Sequence, residues 1–209
     1  MGIVKCYVSG KSGFLLGMLV AFFVPVGCSR KSAEQYLARG KEHLWQFEYK
    51  GDPHEGELAI EDFSRAIRLK PADAEAYIHR ATAKKRLYPP PRWREALADA
   101  DHAITLVSGR APSAEVPPMY SQRAAIRRDL HDLDGAIADF SEALKLAKVV
   151  TGREESFPDA YLLRGGVYEE KGDFQSATRD YEASLKIAPS DWWSRGRAEE
   201  ALRRVQAKR

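Results

Sequence analysis

Cysteine is nearly absent from this chain of 209 residues. The two cysteines, Cys6 and Cys28, both precede the long polar part of the sequence. No disulfide framework can therefore hold that polar part together. A domain formed there must depend on its apolar core, and the chain is long enough to bury one.

The chain also lacks a strong excess of charge of one sign. It has 33 lysines and arginines and 30 acidic side chains, which give a formal charge of +3 at pH 7. Lys5 and Lys11 lie in an N-terminal segment of different composition, and without them the formal charge falls to about +1. A nearly balanced chain has no strong field for nucleic acid, so we expect no nucleic-acid partner.

Catalytic and metal-binding motifs are missing from the sequence. Its five histidines are scattered, and it contains no HExxH, no CxxC and no nucleophile elbow. His54, Glu55 and Glu57 come nearest to a metal cluster, but they lack ligand spacing and fall in a segment that we expect to be a loop. We therefore expect a protein that is not an enzyme, with no metal, no cofactor and no small-molecule substrate.

No apolar run is long enough to favour a membrane-spanning helix. The longest mostly apolar run, which is also uncharged, covers the 15 residues Gly13–Gly27 and ends at Cys28. A spanning helix needs about 20 apolar residues, whereas the core of an export signal needs about 7–15. The length of this run therefore favours an export signal.

The sequence VGCS at residues 26–29 resembles the lipobox of bacterial lipoproteins, in which a small residue precedes the cysteine that is acylated. Pro25 stands where the lipobox usually has leucine. The resemblance implies a signal peptide over residues 1–28, a lipid anchor on Cys28 and a place in the bacterial cell envelope. Ser29 favours the outer membrane facing the periplasm. The alternative is an ordinary signal peptide or an uncleaved anchor in which Cys28 is incidental.

The most regular pattern of the sequence lies in residues 161–189. Tyr161, Gly165 and Tyr168 recur at intervals of four and three, which places them on one face of a helix. Gly172-Asp173 then interrupts the pattern as a turn would. A second helical face follows, and Pro189 ends it; its inner residues are Ala177, Tyr181, Ser184 and Leu185.

This order of residues resembles the tetratricopeptide repeat, a pair of antiparallel helices that carries large, small and aromatic residues at fixed positions. The resemblance implies an all-α, right-handed solenoid within residues 29–209, closed by a polar capping helix. Ser190 or Asp191 is the expected N-cap of that helix. The expected repeats are residues 33–71, 74–107, 117–148 and 158–189, and the expected capping helix is residues 191–207.

Four stretches make the repeats longer than usual, and we expect each to be a connection between helices. One is Pro89-Pro90-Pro91, which matches a surplus of three residues in the second repeat. Between Gly40 and Ala59 the surplus is about seven residues, which predicts a polar loop at residues 51–56. Further loops are expected at residues 108–118 and 149–157.

An arginine and an aspartate recur at fixed positions in all four repeats. The arginine precedes the small residue of each first helix, and the aspartate follows the alanine of each second helix by three residues. A planar guanidinium suits a carboxylate in a half-buried place, which predicts an ion pair between the helices of every repeat. The alternative is a row of arginines for an acidic ligand. The predicted pairs are Arg39 with Asp62, Arg80 with Asp99, Arg123 with Asp139, and Arg164 with Asp180.

In proteins with this repeat, the first helices line a groove that accepts a peptide. The resemblance therefore implies an apolar strip flanked by Lys41, Lys85 and Arg128, which becomes acidic at Glu169-Glu170. We expect a peptide with apolar anchors and with acidic residues toward the first three repeats. The carboxylate clamp of chaperone-binding members contains asparagine, which this chain lacks entirely. The expected groove residues are Leu37, Lys41, Ile78, Thr82, Lys85, Ser121, Ala125, Arg128, Leu162, Gly166 and Glu169.

These features together predict a membrane-tethered scaffold that binds a protein or peptide partner and assists the assembly of an envelope complex. An accessory subunit that regulates an envelope enzyme, such as one acting on peptidoglycan, is the alternative. A fold by itself does not choose between these functions.

The lipid anchor can be tested by replacing Cys28 with alanine. In a bacterial host we expect a mature protein that begins at an acylated Cys28 and sediments with membranes, because several acyl chains hold a protein stably. Cys28→Ala should leave the membrane fraction. Intact mass and fractionation measure both effects, and a full-length or unlipidated wild-type product would contradict the prediction.

Overall fold

The computed structural model describes residues 31–87, 92–152 and 157–208 of the chain. Within these ranges the chain forms nine α-helices and no strand. The all-α prediction is thereby confirmed. The helices are α1 (Ala33–Lys50), α2 (Pro53–Leu69), α3 (Ala74–Arg86), α4 (Trp93–Val107), α5 (Val116–Asp129), α6 (Leu133–Thr151), α7 (Pro158–Glu170), α8 (Phe174–Ile187) and α9 (Arg195–Gln206).

The helices pack as successive pairs in two layers. The most extensive contacts lie within the pairs α1–α2, α3–α4, α5–α6 and α7–α8, and each second helix also contacts the first helix of the next pair. The first helices α1, α3, α5 and α7 contact one another in turn, and α9 contacts α7 as a further first helix would. The arrangement is a solenoid of four helical repeats with a capping helix.

The core continues from each repeat into the next. In the first repeat Phe63 is fully buried, and its apolar cluster includes Ala76 and Ala83 of α3. In the last repeat Tyr181 is buried together with Ala201 and Val205 of α9. Because each repeat covers the apolar edge of its neighbour, no repeat has a separate core.

The polar loop predicted at residues 51–56 is wrong. α1 continues for 18 residues to Lys50, and Gly51 ends it with a left-handed φ of 73°. Asp52 caps the next helix with its side chain, and Pro53 occupies the first turn, where a missing N–H costs nothing. Since α7 has only 13 residues, the surplus of the first repeat lies in longer helices.

Other predicted boundaries also shift toward more helix. α5 begins at Val116, with prolines in its first turn, so the loop before it is shorter than residues 108–118. α6 continues to Thr151, two residues past the start of the loop predicted at residues 149–157. Residues that favour turns can also occupy the ends of helices, so they do not by themselves mark a loop. The connection predicted at Pro89-Pro90-Pro91 lies outside the described residues.

The capping helix begins later than predicted, at Arg195 with Ser194 as its N-cap. The segment before it is a turn rather than helix, and its two tryptophans differ in environment. Trp192 is buried and donates from Nε1 to Asp159 Oδ1 at 3.2 Å, whereas Trp193 is 75% exposed. Trp192 therefore packs onto the last repeat, whereas Trp193 faces solvent.

The structure joins all four predicted Arg–Asp pairs. In the second, third and fourth repeats each guanidinium donates two hydrogen bonds to its aspartate, at 2.6–2.9 Å. Arg39 pairs with Asp62 in the same way. Each aspartate is at least 93% buried, so its charge requires a paired cation. Asp99 and Asp139 each have a second one, Lys84 Nζ at 2.8 Å and Arg127 Nη1 at 2.9 Å.

Each arginine after the first also reaches back to the preceding repeat. Arg80 Nη1 donates to Ser64 Oγ at 3.1 Å, and Arg164 Nη1 donates to Ser141 Oγ at 2.9 Å. Arg123 Nη1 donates to Asp101 Oδ1 at the corresponding position, at 2.9 Å. The arginines therefore connect neighbouring repeats as well as the two helices of one repeat.

Glycine allows the two helices of the last repeat to approach closely. A Cβ atom at Gly165 would lie 2.8 Å from Cε1 of the buried Tyr181 ring. At the equivalent Gly40 it would lie 2.7 Å from Cε1 of Phe63. The neighbouring Gly166 is different, because its nearest atoms would be 3.8 Å away.

Alanine substitution at Gly165 and Gly166 tests this close approach. We expect Gly165→Ala to lower the free energy of unfolding by about 1–3 kcal/mol, because the added methyl group displaces a packed ring. Gly166→Ala should raise it by about 0.5–1 kcal/mol, since alanine is the better helix former and has room. Urea denaturation measures both, and equal effects at the two positions would contradict the packing argument.

Candidate protein-interaction surface

The row of first helices, together with α9, forms a surface with two cavities, which we call the first-helix face. The C-terminal cavity has a volume of about 480 Å³ and is lined by residues of α5, α7, α8 and α9. The N-terminal cavity has a volume of about 370 Å³ and is lined by α1, α3 and α5. Helix α5 borders both cavities, through Gln122 in one and Arg128 in the other.

The C-terminal cavity combines an apolar floor with charged walls. Leu162, Leu163 and Ala201 supply apolar surface, and Gly166 leaves open the place that a side chain occupies in other repeats. Arginines and glutamates of α5, α7 and α9 form the walls. A cavity of this kind accepts an apolar group whose neighbours are polar.

Glu169 is the centre of the charged network in this cavity. It accepts two hydrogen bonds from the Arg204 guanidinium, at 2.7 and 2.8 Å, and one from the Tyr181 hydroxyl at 3.0 Å. Lys208 Nζ lies 3.4 Å away. These donors, Arg204 first, lower the pKa of Glu169 to about 2. Burial of Tyr181, with its hydrogen bond to Glu169, raises the pKa of that phenol.

The predicted groove residues divide between the core and the surface. Leu37, Ile78 and Ser121 are at most 9% exposed, and both apolar side chains pack in the core. The prediction of an apolar strip is therefore wrong at these positions, because contacts between the helices bury these side chains. Leu162 is also mostly buried but lines the C-terminal cavity with Gly166 and is available there.

The three predicted cations are not free for an acidic ligand. Lys41 pairs with Glu75, Lys85 Nζ lies 2.8 Å from Asp129 Oδ2, and Arg128 Nε donates to Glu170 Oε2 at 2.6 Å. The groove also does not become acidic at Glu169 and Glu170, since basic groups neutralise both. The expectation of a cationic strip with an acidic end is therefore wrong.

The other predicted residues keep surface positions. Lys41 and Thr82 line the N-terminal cavity, while Arg128 and Glu169 line the C-terminal one. Lys85 of α3 and Ala125 of α5 are half-buried. Their role in binding a partner stays a prediction.

The contributions of α9 and of the exposed Trp45 were not predicted from the sequence. Arg197, Arg204 and Lys208 complete the C-terminal cavity, but the repeat pattern ends before them. Trp45 is 57% exposed beside the N-terminal cavity, at a position where the pattern specifies nothing. The only sign of this surface in the sequence is Trp45 itself, a tryptophan in a polar stretch at a position that the repeat pattern does not require.

The remaining predictions concern membrane spanning, metal binding and the N-terminal signal peptide. In the part of the chain that the structure describes, no helix is long and apolar enough to cross a membrane. Within the same ranges no group of three or more His, Cys, Asp or Glu side chains is placed to hold a metal ion. His54 and Glu55 lie in the first turn of α2 rather than in a loop. Cys28 and the signal peptide predicted over residues 1–28 lie outside the described residues.

Comparisons with known proteins agree with the geometry. Residues 158–191 match the family model of the tetratricopeptide repeat. The chain is 36% identical over 78 residues to dynein axonemal assembly factor 4 of Pongo pygmaeus, a match that covers 37% of this chain and 19% of that protein. The matched segment is thus about a fifth of the length of this curated relative.

Solved structures show the same fold over most of the chain. One in the APC/C hetero-tetramer Cut9–Hcn1 has a TM-score of 0.67 at 18% identity and covers 84% of this chain and 30% of that one. TTC0263, a thermophilic TPR protein of Thermus thermophilus, has a TM-score of 0.58 at 21% identity, and the match covers 81% of this chain and 91% of that one. The described residues therefore have the fold of a tetratricopeptide-repeat solenoid, and residues 158–191 are one such repeat.

The low pKa of Glu169 predicts an acid dependence of stability. A carboxylate whose folded pKa is about 2, below an ordinary 4.5, stabilises the fold fully above pH 4.5 and loses this effect as the pH falls toward 2. The urea midpoint of wild type should exceed that of Glu169→Gln at pH 7, and the difference should vanish near pH 2. Glu182→Gln, at an exposed site without an ion pair among the described residues, controls for charge removal. A difference that is independent of pH would contradict the prediction.

Proposed function

We propose that the chain is a protein-interaction scaffold that binds an extended segment of a partner along the first-helix face. The observation that carries this proposal is the C-terminal cavity, which opens on that face with an apolar floor at Leu162 and Gly166. A volume of about 480 Å³ holds a few side chains. A segment anchored there would continue along the neighbouring first helices.

The position of α5 favours a segment that spans both cavities. Gln122 and Arg128 are six residues apart on this helix, which corresponds to about 9 Å at a rise of 1.5 Å per residue. An extended chain covers that distance with about three residues. One short segment can therefore enter both cavities, which a small molecule in either cavity cannot do.

Charges at the C-terminal cavity favour a partner of mixed polarity. Arg128 and Glu170 neutralise each other, as do Arg204 and Glu169. Since these pairs are partly exposed, they contribute orientation and selectivity more than affinity. An apolar group of the partner would contact Leu162, Leu163 and Ala201 on the floor of the cavity, and the charged walls would surround it.

The proposed scaffold is attached to the bacterial cell envelope through a lipid on Cys28. The lipobox at residues 26–29 supports this proposal. Ala33, the first residue of α1, is five residues from Cys28, so the chain between them spans at most about 18 Å. Such an anchor would hold the first repeat near the membrane and restrict partners to the same compartment.

Assistance in assembling an envelope complex is the role that we propose for this scaffold. A first-helix face with two cavities can hold one component while other surfaces of the solenoid remain free. The name of one relative, dynein axonemal assembly factor 4, also describes an assembly role. That role belongs to the relative and supports the proposal only as an analogy.

Filling the C-terminal cavity tests the scaffold proposal. Gly166→Leu should place a side chain in the cavity, because the nearest atoms to its Cβ are 3.8 Å away. Envelope proteins retained by immobilised wild-type chain should be lost by this variant, as measured by quantitative mass spectrometry. We expect at least a tenfold reduction for a direct partner.

Gly196→Leu provides the matched control for this experiment. Gly196 is also a helical glycine, its Cβ would meet no atom within 4 Å, and it does not line the cavity. This variant should retain the same proteins as wild type. If all three chains retain the same proteins, the C-terminal cavity is not the binding site.

A further inference from the structure

An aromatic pair on α1 has no role in the core of the repeats. Trp45 and Tyr49 are 57% and 77% exposed, although both are large apolar side chains. Their rings stack with centroids 5.4 Å apart and planes 3° apart. Exposed aromatic surface of this size, held in one orientation, is typical of an interaction site.

The N-terminal cavity lies directly beside this pair and has no net charge to offer a ligand. Lys41 pairs with Glu75, and Arg86 Nε lies 3.2 Å from Glu48 Oε1. His79 is half-buried against the Phe63 ring, and burial lowers the pKa of its imidazole, which is therefore neutral at pH 7. The cavity thus favours an uncharged occupant.

Two side-chain donors of this cavity have no partner among the described residues. Thr82 Oγ1 lies 3.0 Å from the Ile78 carbonyl oxygen and 2.5 Å from the Gln122 amide, and its one proton is donated to only one of them. In either orientation of the Gln122 amide, at least one Nε2 hydrogen stays unused. Trp45 Nε1 likewise donates to no described group. The carboxylate acceptors Glu48 and Glu75 are engaged by Arg86 and Lys41. The cavity therefore offers N–H donors, while the charge of its one lining carboxylate, Glu48, is already compensated by Arg86.

We propose that the N-terminal cavity binds a proline-containing extended segment of the partner; this inference rests on the scaffold function proposed above. Proline has a backbone carbonyl but no N–H, so it accepts from Gln122 and Trp45 and requires no acceptor in return. Its flat ring packs on an exposed aromatic face, and the extended polyproline conformation loses little entropy on binding.

Other occupants fit these observations less well. An acidic or basic peptide would have to compete with the Lys41–Glu75 and Arg86–Glu48 pairs for its counter-charge. A sugar would stack on Trp45, but its hydroxyls need acceptors as well as donors. The proline segment uses the aromatic face, the neutral surface and the free donors together.

The test is a fluorescence anisotropy titration of the full chain, in detergent, with two fluorescein-labelled peptides. One is a ten-residue proline peptide, and the other has the same length with alanine in place of each proline. Wild type should bind the proline peptide at least tenfold more tightly. Trp45→Ala should weaken that binding at least tenfold, because it removes the ring on which proline packs.

Trp193→Ala is the matched control, since Trp193 is 75% exposed and does not line the cavity. This variant should bind like wild type, and both variants should keep the wild-type helical circular dichroism. The proposal is overturned if wild type binds neither peptide or both equally. It is also overturned if Trp193→Ala causes the same loss or if a soluble oligosaccharide displaces the proline peptide.

The partner captured with wild-type chain separates this inference from the scaffold function. If Gly166→Leu loses that partner and Trp45→Ala retains it with unchanged affinity, the scaffold stands and the proline site does not. If both variants lose the partner and the proline peptide competes with it, both proposals are supported. A partner retained by Gly166→Leu but lost by Trp45→Ala would support the proline site and contradict the role of the C-terminal cavity.

Discussion

The bidentate bond between an arginine and a buried aspartate is the interaction on which the rest of this solenoid depends. Each aspartate is at most 7% exposed, and a carboxylate so deeply buried is costly unless it is paired. The tyrosine three residues before each arginine lies under its guanidinium, with 5.4–5.6 Å between the guanidinium carbon and the ring centroid. The guanidinium is thereby fixed between a ring and a carboxylate, which fixes the angle between the two helices of a repeat.

The fold could be predicted from the sequence because its repeated contacts come from residues at repeated positions. Gly165 against Tyr181 and Arg164 with Asp180 each follow from spacing within one helical pair. Helix ends were harder to predict, since Gly51 and Pro53 are as compatible with a tight turn between long helices as with a loop.

The surface was predicted less well, because exposure depends on how neighbouring repeats meet. Ile78 occupies a position expected to face a ligand, but contacts between successive first helices bury it. Lys41 and Lys85 were expected to attract an acidic partner, yet each meets a carboxylate of the next first helix. Because these pairs join residues 34 and 44 positions apart in the sequence, no local pattern shows them.

The hydrogen bond from each arginine to the preceding repeat makes the two ends of the solenoid unequal, because the arginine always lies on the C-terminal side of the interface. If the first repeat melts, Arg80 loses the Ser64 acceptor, and a half-buried cation is left with unmet hydrogen-bonding capacity. If the last repeat melts, the loss of the Arg164 bond takes from the third repeat only a donor to Ser141, whose hydroxyl still donates to the Ile137 carbonyl at 2.7 Å. The third repeat also loses its ion pairs from Arg128 to Glu170 and from Asp134 to Lys171. With respect to these arginine bonds, loss of an end repeat is therefore less costly at the C-terminus, which is the end that α9 covers and holds through its bonds to Glu169. Helix α9 thus opposes unfolding of the last repeat, at the end where the arginine bonds resist unfolding least.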